Sequence, residues 1–160
     1  MQNIRTNNDL ITNALEMDAR RVMDSIKNGA NVNVRLDNGD ALIIAILNAM
    51  DSAPKNEKRI YRIIIDLIVG TPIFNLNQKT NYYGTDVYII EYAMIQKKIT
   101  WVDFFLNNGA NHHLAEQSDY YWQTSDEIRD LIQRFSRAME KTPTPPQSPR
   151  TYLNFSNLRL

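Results

Sequence analysis

The side chains that could do chemistry in this 160-residue chain are few. His112 and His113 are its two histidines, and Glu116 and Asp119 follow close behind. A zinc-type ion needs donors that converge on one point, whereas adjacent side chains of an extended segment point to opposite faces. With the pair read as part of a loop after Gly109, the two rings are expected to diverge, so neither a metal nor any other cofactor is expected. No His-Glu-x-x-His pattern occurs. A small metal-dependent enzyme using His112, His113 and Glu116 stands as a rival reading.

Other chemistries lack their parts. The chain has no cysteine, which excludes disulfides, thiolate zinc sites and cysteine nucleophiles. No serine sits in Gly-x-Ser-x-Gly, and five glycines at turn-like positions cannot build a phosphate-cradling loop. Asp18, Asp66 and Asp103 read as caps and solvated helix faces. An enzyme is not expected. Lys+Arg and Asp+Glu each total 18, so the broad positive field of a nucleic-acid binder is missing. Lys55, Lys58, Arg59 and Arg62 then read as a solvated edge. The longest apolar stretch, Ala41 to Leu47, is too short to span a bilayer, and the opening residues lack the apolar core of a secretory signal. A cytoplasmic monomer without membrane or nucleic-acid partners is the expectation.

What remains to be positioned are loops, and a repeated pattern of helices would hold them. Lys27-Asn28-Gly29-Ala30-Asn31 is echoed by Asn107-Asn108-Gly109-Ala110-Asn111. Upstream of each phrase, Val22, Met23 and Ile26, then Val102, Phe105 and Leu106, recur at helical spacing. Leu67-Ile68-Val69-Gly70 is a degenerate third copy. Glycine after the last apolar residue predicts a left-handed helix stop at Gly29, Gly70 and Gly109. Each helix has an earlier partner carrying an alanine: Leu10–Ala14, Leu42–Ala45 and Ile89–Ala93. Asn8 or Asp9, Asp18, Asp40, Thr85 or Asp86, and Thr100 are the expected N-caps.

These residues resemble ankyrin repeats, whose units run turn, Gly-x-Thr-Pro-Leu-His-x-Ala, second helix, then Gly-Ala-Asp/Asn-x-Asn. Gly29-Ala30-Asn31-Val32-Asn33 and Gly109-Ala110-Asn111 match the unit's end, and Asp37-Asn38-Gly39-Asp40-Ala41-Leu42 resembles the next unit's start. No Thr-Pro-Leu-His occurs. The three glycines lie about 40 residues apart against about 33 in the family, which places an insertion around Asp51–Lys58 and a long loop between Gly70 and Gly84. The resemblance implies an all-α, ankyrin-like helical-hairpin solenoid over residues 1–141, with repeats at about 8–34, 35–78 and 79–113. Thr124-Ser125-Asp126-Glu127 opens an amphipathic helix at about 124–140, expected to cap the array. Residues 142–160 are Pro-rich and expected to be a flexible tail.

In such arrays the loops and the first helix of each pair line a concave face that holds a protein partner. Carried onto this chain, the resemblance assigns that role to Arg35, Asp37, Asn38, Lys79, Asn81, Tyr82 and Tyr83, with His112 and His113 in the last loop. Tyr120-Tyr121-Trp122 is expected to supply at least one ring that packs on the capping helix, and Trp101 to be core. Thr142, Thr144 and Ser148 each precede proline and resemble kinase sites. Asn and Ile are each as common as Lys and Arg together. In that respect the repeats are similar to ankyrin proteins of large DNA viruses and intracellular bacteria. The expected function is non-catalytic protein–protein recognition, directed at host-cell proteins. A self-assembling structural subunit, linked through the apolar residues after Arg150, is the other rival.

Overall fold

A computed structural model describes residues 2–142. The tail beyond, with Thr144 and Ser148, lies outside the described residues. Among these, eight helices and one two-stranded sheet form: α1 (Gln2–Leu15), α2 (Ala19–Lys27), α3 (Leu42–Ser52), α4 (Lys58–Val69), β1 (Lys79–Tyr82), β2 (Thr85–Tyr88), α5 (Ile89–Ile95), α6 (Ile99–Asn107), α7 (His112–Glu116) and α8 (Asp126–Lys141). The chain is mostly helical, but the all-α expectation needs correction for the β hairpin. Its strands alternate around Gly84, with β-branched and aromatic residues on both sides, which is a hairpin signal. Among the described residues no helix is long and apolar enough to cross a membrane.

Among the described residues, those up to Asn75 form one compact unit and those from Leu76 form a second. In the first, α1 pairs with α2 and α3 with α4, while α1 also packs on α3 and α2 on α4. Leu10, Ala14 and Val22 of the first pair are fully buried, as are Leu42, Ile43, Ile44, Ile46, Ile64 and Ile68 of the second. Helix α3 is apolar on nearly every face, as an element covered on several sides must be. Ala14 and Ala93 are buried as small contact residues, whereas Ala45 is only half-buried. The link between α3 and α4 spans 53–57, shorter than expected, because α3 runs on to Ser52.

In the second unit α5 packs on both strands, on α6 and on α7, while α8 packs on α6 and α7. Helix α7 falls where a loop was expected. Asn111 creates it: its side chain accepts a 3.0 Å bond from the His113 N–H, and Leu114-Ala115-Glu116 are good helix formers. Tyr121 is buried and its hydroxyl accepts from Gln133 Nε2 at 3.1 Å, which pins the approach to α8. Trp101 is core, while Trp122 stays exposed with Arg129 across its ring.

The pairs α1/α2 and α5/α6 turn identically. Met17 and Lys97 both take positive φ (61° and 55°), and Asp18 N–H and Lys98 N–H each reach back five residues, to Asn13 and Ala93. Asp18 caps α2 as expected, accepting from Arg21 N–H at 3.0 Å. The other caps differ. Helix α1 already begins at Gln2, so Asn8 and Asp9 lie inside it. The chain enters α3 from an extended bridge between Arg35 and Ala41, which puts Ala41 at the cap and leaves Asp40 bonded to Asn38. Thr85 and Asp86 belong to β2, and Tyr88 precedes α5 with its N–H held by Glu91 at 2.8 Å. Thr100 lies within α6, and Ser125 rather than Thr124 caps α8. The Thr124 hydroxyl instead donates to the Met94 carbonyl at 2.9 Å.

Gly29 and Gly109 take φ of 86° and 99°, the left-handed stop expected of them. Gly70 does not: its φ is −68°, and its requirement is space, since a Cβ there would sit 2.8 Å from the Asp66 carbonyl oxygen. Around Gly29 nothing lies within 4 Å of an added Cβ, so Gly29→Ala isolates the torsional cost. It should lower unfolding free energy by about 1–2 kcal/mol in chemical denaturation.

Asp66, read from sequence as solvated, is half-buried on α4, and burial raises its carboxyl above the ordinary 3.8. The folded chain therefore holds this proton more tightly than the unfolded chain. Stability is lost as pH rises from the ordinary value through the folded one, and stays lowered at neutral pH. Asp66→Asn should raise the melting temperature at pH 7, with the gain fading below about pH 4. A gain that does not change with pH would mean that ionisation is not its cause.

Candidate functional site

The loops that follow α2, α4 and α6 share one construction. In the first unit, Asn7 Oδ1 accepts the Asn31 N–H at 2.8 Å. Asn33 Oδ1 accepts the Asn75 N–H at 2.7 Å, and its Nδ2 donates to the Ile73 carbonyl at 2.8 Å. In the second unit, Asn77 Oδ1 accepts the Asn111 N–H at 2.9 Å. Asn31-Val32-Asn33 and Asn75-Leu76-Asn77 are thus the same device, an apolar plug (Val32 and Leu76, both buried) flanked by asparagines that tie one loop to the next. The second copy begins at Asn75, well beyond Gly70, whereas Asn31 follows Gly29 closely, so the glycine does not mark it. The Asn-x-Asn spacing was the signal that could have found it.

In the first unit, Arg35 Nε donates to the Gly39 carbonyl at 2.7 Å, and Asn38 exchanges bonds with Asp40 through side chain and backbone. These two residues therefore shape the turn as well as its surface. Asp37 is exposed at its tip. Leu36, Asp37 and Asn38 face Asn8, Ile11 and Thr12 of α1 across an open groove of about 540 Å³. Ile11 and Thr12 were expected on a helix, but nothing in the sequence pairs that helix with the Leu36–Asn38 turn.

In the second unit the hairpin pairs Lys79 with Tyr88 and Tyr82 with Thr85, leaving a two-residue turn, Tyr83-Gly84. Thr80 and Val87 form its buried pair, facing α5. Asn81 Oδ1 accepts the Gly84 N–H at 2.9 Å, and Lys79 Nζ lies 5.0 Å from the Tyr88 ring centre. Tyr82 is half-buried with its ring edge-on to Tyr92 at 6.0 Å and to Tyr83 at 4.9 Å. Tyr83 is 92% exposed and takes φ of 47°, a left-handed conformation that bulky residues rarely adopt. The two tyrosines that the sequence grouped together thus separate into a packing residue and a presented one.

His112 and His113 do not diverge, because α7 is helical: their ring centres lie 4.1 Å apart. His113 Nδ1 is 3.2 Å from Glu116 Oε2, and His112 meets Phe135 of α8 edge-on at 6.0 Å. Donor atoms of His112, His113 and Glu116 all lie within 4.8 Å of one another. Asp119 is not among them. Thr142, the described member of the three threonine and serine candidates, ends α8 with its hydroxyl donating to the Ala138 carbonyl at 2.7 Å. A phosphate there would set its charge of about −2 against the negative end of the helix.

Compared with protein-family models, curated proteins and solved structures, the chain matches none.

The asparagine ties should be measurable. Asn33→Ala removes two bonds to the 73–75 segment and should cost about 1–2 kcal/mol in denaturant unfolding. It should also speed amide exchange at Asn75 relative to Asn111.

Proposed function

We propose that this chain is an ankyrin-like array of helical hairpins, with α8 as its cap, and that it serves non-catalytic protein–protein recognition. Support comes from the identical α1/α2 and α5/α6 turns, from α1 packing on α3 and α2 on α4 in the first unit, and from the loop-to-loop asparagine ties. Repeats that bury their apolar faces on neighbours leave their loops free to vary, which suits a binding surface.

The observation that carries the proposal is Tyr83. Asn or Gly would occupy its turn position without strain, and its ring is almost wholly in solvent. Such a residue costs the fold and returns little to it, whereas an exposed tyrosine gives a partner large contact area at low entropic cost. Asp37 and the groove beside α1 present the corresponding surface of the first unit. A host-cell protein met in the cytoplasm is the partner class that the repeat type favours.

Affinity capture with the full chain, followed by calorimetry on the purified partner, tests this. Tyr83→Asn keeps the turn and should weaken binding at least about tenfold, as loss of an interfacial anchor does. Equal affinity for wild type, Tyr83→Asn and Asp37→Ala overturns the proposal. So does binding that survives both substitutions and vanishes when residues 143–160 are removed.

A further inference from the structure

The third loop repeats the pattern of the first two with its chemistry changed. Where Val32-Asn33 and Leu76-Asn77 stand, the chain carries His112-His113, and Glu116 follows one helical turn on. We propose that His112, His113 and Glu116 form a binding site for one divalent transition-metal ion of the zinc class, independently of the recognition role.

The donor set selects the ion. Two imidazoles and a carboxylate suit zinc, nickel or copper, while magnesium and calcium prefer all-oxygen shells. Three protein donors leave coordination open to water or to a donor from outside. Geometry is nearly in place. Ligands about 2.0–2.1 Å from a tetrahedral ion stand about 3.3 Å apart. The His113 Nδ1–Glu116 Oε2 pair is already at 3.2 Å, and no pair of donors in the trio exceeds 4.8 Å. An ion seated there replaces the hydrogen now shared between Nδ1 of His113 and the carboxylate. The remaining approach is a rotation of the His112 ring toward that pair, and His112 is only half-buried.

The support beneath the trio is firm. Asn111 holds both ends of the local turn: its N–H is tied to Asn77 and its side chain caps α7. Ala115 is fully buried beneath the helix, and Phe135 of α8 backs the His112 ring. Ligands on an anchored helix lose less freedom on binding than ligands on a mobile loop.

The test uses the untagged full chain, stripped with chelator and titrated with Zn²⁺ by calorimetry, with two-dimensional NMR of the imidazole nitrogens in parallel. One ion should bind per chain, excess Mg²⁺ or Ca²⁺ should not displace it, and the ring signals of both histidines should shift. His113→Ala and Glu116→Gln, at positions away from the core, should each weaken binding about tenfold or more while circular dichroism stays unchanged. If either variant unfolds, the wild-type imidazole shifts alone decide. Absence of saturable binding, unmoved histidine signals, or folded variants that bind as tightly as wild type each overturn the site.

Discussion

A pair of helices buries one face of each and leaves the other in need of cover. That constraint governs both units. In the first, α1 and α2 meet through Leu10, Ala14 and Val22, but the apolar faces of α3 and α4 carry far more side chains than a single pair can enclose. Packing α1 on α3 and α2 on α4 closes the account on both sides. In the second unit α5 meets the same need with three kinds of neighbour: the hairpin on one side, α6 as its pair, and α7 beyond. The asparagine bonds then fix how far each loop slides along the next, something that apolar contact alone cannot do because it is not directional.

Helical periodicity was legible wherever glycine and asparagine punctuated it. Val22, Val102, Phe105 and Leu106 are buried as their spacing requires, and α2, α6 and α8 end or begin within a residue or two of expectation. Caps were less legible, because Asp40, Thr85 and Thr100 are chemically suited to a position that the backbone gives to Ala41, Tyr88 and Lys98. An extended approach from a bridge or strand decides the cap at Ala41 and Tyr88, and the tight turn through Lys97 decides it at Lys98. Gly70 was recognised for the right place and the wrong reason: proximity to a carbonyl, not handedness, requires it.

For the candidate sites, residue identity was legible and grouping was not. Tyr82 and Tyr83 read alike until the register of β1 and β2 points one toward Tyr92 and the other outward. In an extended segment after Gly109, His112 and His113 would diverge. A single capping asparagine makes it helical, and the two rings then share a side of the chain. Ile11 and Thr12 of α1 read from sequence as helical, but which loop they face depends on how the chain folds back at Leu36–Asn38, and that is tertiary.

The row of asparagine joints also has an end. Asn33 and Asn77 each offer an amide oxygen to a following loop, but the matching position in the third loop is His113, whose ring is turned to its own helix. The change of one functional group, amide to imidazole, turns a position that elsewhere joins two loops into one that braces its own helix.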